Sequence, residues 1–313
     1  MSAFGLAEGT AVARAAEQGT FHRLYDVREP GRAARLLRIA ALAGARAANL
    51  MALEADVMAA LRREDFPVPA CEFRAVAREG VPRGVHLVER AAGVSLATLD
   101  GDEARMQATL ADVARFLRRL HAQWGEGFGP LRIEALRIKR RATRPIFAAV
   151  HERWIDYLRL RLDEHLRACV AAGDVTAEEA ARIDALFDRR GLRVERPALL
   201  HGDPGSHNFM VDASGIRAVI DWEDALSGDP LFDLASLCTF HPERRHAGIR
   251  AAYGVPMAAG GEEWKRFWIY FLRIALAKTV HRRRFAYADA PGRPPAARRI
   301  QLALERLGAG SGA

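Results

Sequence analysis

The chain has 313 residues, half of them hydrophobic, which is enough for a sizeable core and two domains or lobes and excludes a disordered chain. Its net charge is +8, from 47 lysines and arginines against 39 acids, but only Lys139, Lys265 and Lys278 are lysine, and the basic residues are spread out without interleaved aromatics, which argues against a nucleic-acid partner. No apolar run is long enough to span a bilayer, no basic segment followed by an apolar core marks a secretion signal, and Cys71, Cys169 and Cys238 lack metal or disulfide spacing, so the expectation is a cytoplasmic protein with no membrane partner.

Residues 10–40 read as three short strands, TAVARAA, FHRLYDV and ARLLRIAAL, with Gly19 and the Pro30-Gly31 pair marking the turns. Next, GARAANLMALEADVMAALRRE carries apolar residues at helical spacing (Leu50, Leu53, Val57, Leu61), and the two prolines of FPVPACEF must end that helix. CEFRAVA and GVHLVER form a hairpin closed near EGVPRG. Beyond Gly93 the character changes. DEARMQATLADVARFLRRLHAQ is an amphipathic helix, and residues 145–190 read as two more helices broken around AAGDVT, with Thr176 and Glu179 as a capping box for the second.

Two apolar runs follow, NFMVD and IRAVID, read as strands joined by ASG. From Asp233 onward the pattern is helical, FWIYFLRIALAKTVHRRRF being the clearest run, and the tail GAGSGA is expected to be disordered. The fold class is therefore α+β: a small strand-rich lobe over 1–88, a connector over 89–95, and a larger, mainly helical lobe over 96–313.

The chemistry concentrates in HGDPGSHNFMV, residues 201–211, and VIDWED, residues 219–224. Asp203, Asn208 and Asp221 all offer oxygen donors, the ligand type of hard cations such as Mg²⁺. Asn208 at the start of one strand and Asp221 at the end of the next are brought together by an antiparallel hairpin and can share one metal, while Asp203 on the preceding loop can face a substrate hydroxyl. Asp and Asn also serve as turn formers and caps, but their joint spacing between hydrophobic runs favours phosphoryl transfer.

HGDPGSHN…IDWED resembles the catalytic segment of the aminoglycoside phosphotransferase family, small-molecule relatives of the protein kinases, in which an Asp is followed five residues later by an Asn and then by a second Asp element, here Asp221-Trp222-Glu223. The resemblance runs from about residue 10 to 285 and is specific at 199–235. It implies a bilobal, protein-kinase-like fold and an ATP- and Mg²⁺-dependent phosphotransferase acting on a hydroxyl of a small molecule. Asp203 would orient the acceptor hydroxyl, and Asn208 and Asp221 would bind Mg²⁺. Arg38 of LLRIA would contact the phosphates, oriented by Glu54, with Arg35 on the opposite face of the strand. Gly19-Thr20 stands where the family has its phosphate-covering turn, and backbone groups of Glu89 and Ala91 would meet the adenine.

His201 matches a residue that braces the loop by hydrogen bonding, and Glu223 lies near the metal or holds the loop. Asp229 and Asp233 read as structural, and His22, His241 and His246 as surface or core histidines. GFGPL, residues 127–131, resembles a segment common in antibiotic-kinase-like members, which points to an aminoglycoside or related hydroxylated antibiotic as acceptor and to antibiotic resistance. A sugar or other metabolite hydroxyl, or a nucleotide-binding module without turnover, are the alternatives. The basic run LRIKRRATR, residues 136–144, is either a solvated helix face or a contact for an anionic substrate. A polycationic acceptor would need acidic groups, for which Glu262 and Glu263 are candidates.

Overall fold

In a computed structural model, which describes residues 4–16, 22–78, 80–99, 101–132, 147–188, 192–287 and 295–309, the opening pattern of turn residues and apolar runs yields strands β1 (Ala11–Arg14), β2 (His22–Arg28) and β3 (Arg35–Ala40). Helix α1 (Ala45–Arg63) follows and ends four residues before Pro67, with Asp65 between them in a left-handed conformation (φ 56°). Strands β4 (Cys71–Arg78), β5 (Val81–Glu89) and β6 (Val94–Ser95) complete this part of the chain. Next come α2 (Glu103–Leu120), capped by the Asp102 side chain, then β7 (Gly125–Glu126), β8 (Phe128–Leu131) and β9 (Phe147–His151). Helices α3 (Trp154–Leu158), α4 (Leu162–Ala171) and α5 (Ala177–Leu186) lead to β10 (Ala198–Leu200). The hairpin β11 (Phe209–Asp212) and β12 (Gly215–Val219) is followed by β13 (Leu226–Gly228) and helices α6 (Pro230–Thr239), α7 (His246–Tyr253), α8 (Glu262–Arg284) and α9 (Ala296–Ala309).

These elements form two compact units, the first drawn from Met1–Thr98 and His207–Ala225 with Arg132, the second from Leu99–Leu131, Phe147–Ser206 and Leu226–Ala313. The sequence reading assigned His207–Ala225 to the C-terminal lobe. The hairpin groups with the first unit because β11 pairs with β6, the Val219 N–H donates to the Pro67 carbonyl at 2.7 Å, and the turn Trp222–Asp224 packs on α1.

The first unit is built on an antiparallel five-stranded sheet in the order β1-β2-β3-β5-β4, with α1 packed on β4 and β5. The helix buries Met51, Leu53, Val57, Met58 and Leu61, as its 3.6-residue periodicity requires. Gly84 on β5 allows the approach of α1: a Cβ there would meet the Met51 sulfur at 2.7 Å. The second unit has a core of α2, α6 and α8 side chains, including Leu117, Leu234, Phe267, Trp268 and Phe271, and a sheet in the order β10-β13-β8-β9-β7.

Two sequence expectations change. Residues 147–151, read as the start of a helix, are strand β9, because FAAVH pairs with β8 on one side and β7 on the other, and the helical stretch after it is split by Arg161 in a left-handed conformation (φ 58°). Gly308 and Ala309, expected in a disordered tail, extend α9, while 310–313 lie outside the described residues. The capping box forms with both hydrogen bonds, Glu179 N–H to Thr176 Oγ1 at 3.1 Å and Thr176 N–H to Glu179 Oε2 at 2.8 Å. No helix among the described residues is long and apolar enough to cross a membrane.

Candidate functional site

Sheet register in the first unit determines what surrounds Arg38. On β3 it lies opposite Leu24 of β2 and His86 of β5, so His22, two residues from Leu24, is its diagonal neighbour on the same face. Arg35, three positions away, projects from the other face, where it pairs with Glu29 and Glu72. The Arg38 guanidinium donates from Nη1 to Glu54 Oε1 at 2.6 Å and from Nη2 to Asp221 Oδ1 at 2.9 Å, with Glu223 Oε2 at 3.5 Å and His22 Nδ1 at 3.2 Å. Arg38, Glu54, Asp221 and Glu223 therefore form one cluster.

Glu54 is only 1 % exposed, and its Oε1 also accepts from the Trp222 N–H at 3.3 Å. Burial opposes its charge, but the Arg38 guanidinium, reinforced by His86, holds its carboxyl below the usual range. Burial likewise works against the charge on Arg38, and the carboxylates of Glu54, Asp221 and Glu223 overcome it and raise its pKa. His22 is pushed down to about 4 by burial and then by Arg38, so it is neutral at pH 7 and accepts from the guanidinium at Nδ1. Glu223 is pushed up to about 8 by burial and then by the adjacent Asp221 charge.

His86 is fully buried and donates from Nε2 to the Met51 carbonyl at 2.7 Å, which leaves its Nδ1 towards Glu54 Oε2 at 3.7 Å.

The hairpin joins the two expected metal ligands, Asn208 and Asp221. The Ile220 N–H donates to the Asn208 carbonyl at 3.0 Å, so the residues just outside the ends of β11 and β12 are held together, Asn208 in a 3-10 turn and Asp221 two residues beyond β12. Asp221 is a non-glycine residue in the left-handed region (φ 66°, ψ 63°), a local cost of about 1 kcal/mol of the kind that structures retain at functional sites. Its carboxylate and the Asn208 amide make a hard-oxygen donor pair that fits Mg²⁺. Among the described residues no group of three or more His, Cys, Asp or Glu could by itself hold a metal ion.

In the second unit, Asp203 lies on the loop after β10. Asp233 on α6 is fully buried and anchors that loop: its carboxylate accepts from the His201 N–H at 2.7 Å and the Gly202 N–H at 2.9 Å. His121 Nε2 is 3.2 Å from the same carboxylate, and its Nδ1 is 2.8 Å from Tyr253 Oη. The fully buried His201 accepts the Asp203 N–H at Nδ1, at 3.4 Å, and Ser206 Oγ meets His241 Nε2 at 2.9 Å. Lys278 on α8 reaches Asp203 Oδ1 with Nζ at 3.1 Å. Asp229 caps α6 through the Leu231 N–H at 3.0 Å and accepts from Tyr270 Oη at 2.8 Å.

The remaining residues singled out in the sequence fall outside these clusters. Gly19, Thr20 and the run 136–144 lie outside the described residues. Glu89 ends β5; its N–H donates to the Ala70 carbonyl at 2.9 Å, and its carboxylate accepts from the Ala70 N–H at 3.1 Å. Ala91 lies two residues beyond the end of β5. Sequence reasoning missed His22, His86 and Lys278 as neighbours of the chemistry. Counting register from the Pro30-Gly31 turn would have placed His22 beside Arg38, and the scarcity of lysine singles out Lys278.

A family model described as "phosphotransferase enzyme family" matches residues 12–268. Hygromycin-B 4-O-kinase from Escherichia coli is 28% identical over 204 residues, 60% of this chain, and the match spans only 52% of that relative. Among solved structures, aminoglycoside phosphotransferase APH(4)-Ia superposes with a TM-score of 0.64 at 21% identity, covering 98% of this chain and 95% of that one. Macrolide 2′-phosphotransferase from Brachybacterium faecium does so with a TM-score of 0.58 at 18% identity, covering 96% and 93%. At such identities the structural likeness shows the fold, and it is the α+β, protein-kinase-like fold expected from the sequence.

Proposed function

Because the chain belongs to the phosphotransferase enzyme family, we propose that it transfers the γ-phosphoryl group of ATP, with Mg²⁺, to a hydroxyl of a small molecule. The observation that carries this reading is the Arg38 guanidinium held between Glu54 and Asp221, in a chain that also bears Asp203 five residues before Asn208. An arginine kept charged, with donors in a fixed fork, suits phosphate oxygens. Glu54 positions it. Asn208 and Asp221 hold Mg²⁺, which when bound neutralises charge on the phosphates. The N–H of Glu89 is already given to Ala70, so the Glu89 carbonyl and the Ala91 backbone are the groups offered to adenine. Gly19 and Thr20 are assigned to covering the phosphates on the family resemblance alone.

Asp203 receives the acceptor hydroxyl. The acceptor oxygen forms the new bond to the γ-phosphorus, the bond to the β-phosphate bridging oxygen breaks, ADP leaves, and the hydroxyl proton passes to the Asp203 carboxylate. His201 and Asp233 fix the loop, so catalysis is mainly positioning. Hydroxylated antibiotics, the class in the names of the relatives, are the first acceptors to test, and sugars the second. A cytoplasmic location agrees with ATP as donor and with the three free cysteines.

The test is an ADP-release screen with ATP and Mg²⁺ over aminoglycosides, macrolides, sugars and amino alcohols. Transfer to at least one class is expected, abolished by Asp203→Ala. No transfer to any class, with basal ATP hydrolysis unchanged in Asp203→Ala, would sink the reading.

A further inference from the structure

Lys278 is one of three lysines in a chain with 47 lysines and arginines, and it lies against Asp203. Its Nζ is 3.1 Å from Asp203 Oδ1 and 3.4 Å from the centroid of the Phe240 ring, and the two paired side chains are 22 % and 28 % exposed. The ring face favours the ammonium where it is, so this is a held pair and not a loose surface contact. A lysine presents a compact point charge where an arginine would present a forked pair of donors, and here it engages one carboxylate oxygen.

The same end of α8 is cationic. Lys278, His281 and Arg282 share a helix face, and His281 lies in the electrostatic field of Asp203, Lys278, Arg284 and Arg282. Arg283 is paired with Asp174. Glu262 and Glu263, the acids on α8 suited to a polycationic acceptor, sit at the other end of the helix, roughly 22–24 Å away along its axis and beyond the reach of screened charge.

We propose that Lys278 is a positioning residue for Asp203 that also selects the acceptor by charge, so that the enzyme takes a neutral or anionic hydroxylated molecule and disfavours a polycation. This rests on the reading of Asp203 as the residue that receives the acceptor hydroxyl. The ammonium restrains the carboxylate that must meet the hydroxyl, and it repels acceptors that would bring several ammonium groups to the same place.

The full-length protein, Lys278→Met and Lys278→Arg are compared with ATP and Mg²⁺ on three acceptor groups: neutral sugars and polyols, anionic hydroxy acids and sugar acids, and polycationic aminoglycosides. Methionine keeps an apolar stem against Phe240 and removes the charge. Wild type is expected to prefer the neutral or anionic group. Lys278→Met should lower kcat on that group by about ten-fold with the KM for ATP within about two-fold, and Lys278→Arg should restore most of the loss. The ratio of polycation to neutral turnover should rise by about ten-fold in Lys278→Met. A wild-type preference for polycations, or a Lys278→Met enzyme with unchanged kcat and unchanged acceptor ratio, would overturn the inference while leaving the phosphotransferase reading intact. Transfer to none of the groups, with ATP consumption indifferent to Asp203→Ala, would overturn that reading and this inference with it.

Discussion

Arg38 and Glu54 are joined by a 2.6 Å hydrogen bond from Nη1 to Oε1, and the carboxylate that receives it is almost wholly buried. Asp221 and Glu223 also touch the guanidinium, so the arginine is a node and not one half of an isolated pair. A node of this kind ties the sheet, α1 and the turn after the hairpin to one charge. Its energetic weight therefore depends on which partner is removed.

Glu54→Gln is expected to destabilise the protein by about 2–3 kcal/mol, below the usual cost of breaking a buried ion pair because Asp221 continues to compensate Arg38. Urea denaturation measures this, and ATP affinity should fall with it as Arg38 loses its orientation. A change in unfolding free energy under about 0.5 kcal/mol would show that Arg38 does not depend on Glu54.

Asp233→Asn should act on the loop that carries Asp203. The carboxylate accepts two backbone N–H groups, and an amide has only one oxygen to offer. One buried N–H is left without its acceptor, a cost of about 1–3 kcal/mol. Turnover is expected to fall by about ten-fold or more, as displacement of a positioned group does, with ATP binding within about two-fold. Calorimetric titration of ATP against steady-state kcat separates the two; a parallel loss of both would mean that Asp233 holds more than this loop.

How much of this was readable in advance follows from sequence separation. Asp203, Asn208 and Asp221 stood out because they lie on one short segment whose flanking apolar runs announce a hairpin. Arg38 and Glu54 are 16 positions apart, and only the family resemblance joined them before the structure did. His86 meets Glu54 across a strand and a helix, and Lys278 meets Asp203 across 75 positions, distances over which no periodicity carries information. FAAVH read as helix because a five-residue strand gains its stability from β7 and β8, which its own sequence does not contain. The pairing of β6 with β11 was hidden for the same reason: Val94–Ser95 is too short to show alternation.

That pairing makes Gly93 sensitive. It adopts φ +88°, and a Cβ would lie 2.4 Å from the Val211 carbonyl oxygen and 2.9 Å from its carbon. Backbone cannot give way as a flexible side chain does, and the left-handed conformation alone costs an L-residue about 1–2 kcal/mol. Gly93→Ala is therefore expected to lose at least about 2 kcal/mol of stability, whereas Gly173→Ala, with φ +75° and nothing within 4 Å, should lose only the conformational part. Equal losses in thermal unfolding of the two variants would refute the steric argument.

Stability should also fall on acidification below about pH 6.5, and the sign follows from two histidines, His165 buried and His22 half-buried. His165 is pushed down to about 4 by burial and then by Arg273, with Arg161 adding to the effect and Glu164 opposing it. His22 is pushed down to about 4 by burial and then by Arg38, with Glu54 opposing and His86 adding. Each is neutral in the fold while its unfolded counterpart takes a proton near pH 6.5, so the unfolded state binds more protons between those values. Their contribution is complete above pH 6.5 and is lost as pH falls towards 4, at up to about 1.4 kcal/mol per pH unit for each histidine. His86 and His246 are shifted in the same direction, burial being the first cause in both. The unfolding free energy, measured in urea at pH 7.5, 6.5, 5.5 and 5.0, should rise slightly between the first two values, as the Glu223 carboxyl, pushed up to about 8, takes a proton in the fold, and then decline as the opposite contributions of the histidines outweigh it. His165→Gln should shallow the decline by about one proton's worth, since Gln can still accept from Arg273 through its side-chain oxygen. An unaltered slope in His165→Gln would mean that the His165 ring takes up protons in the fold as readily as in the unfolded chain.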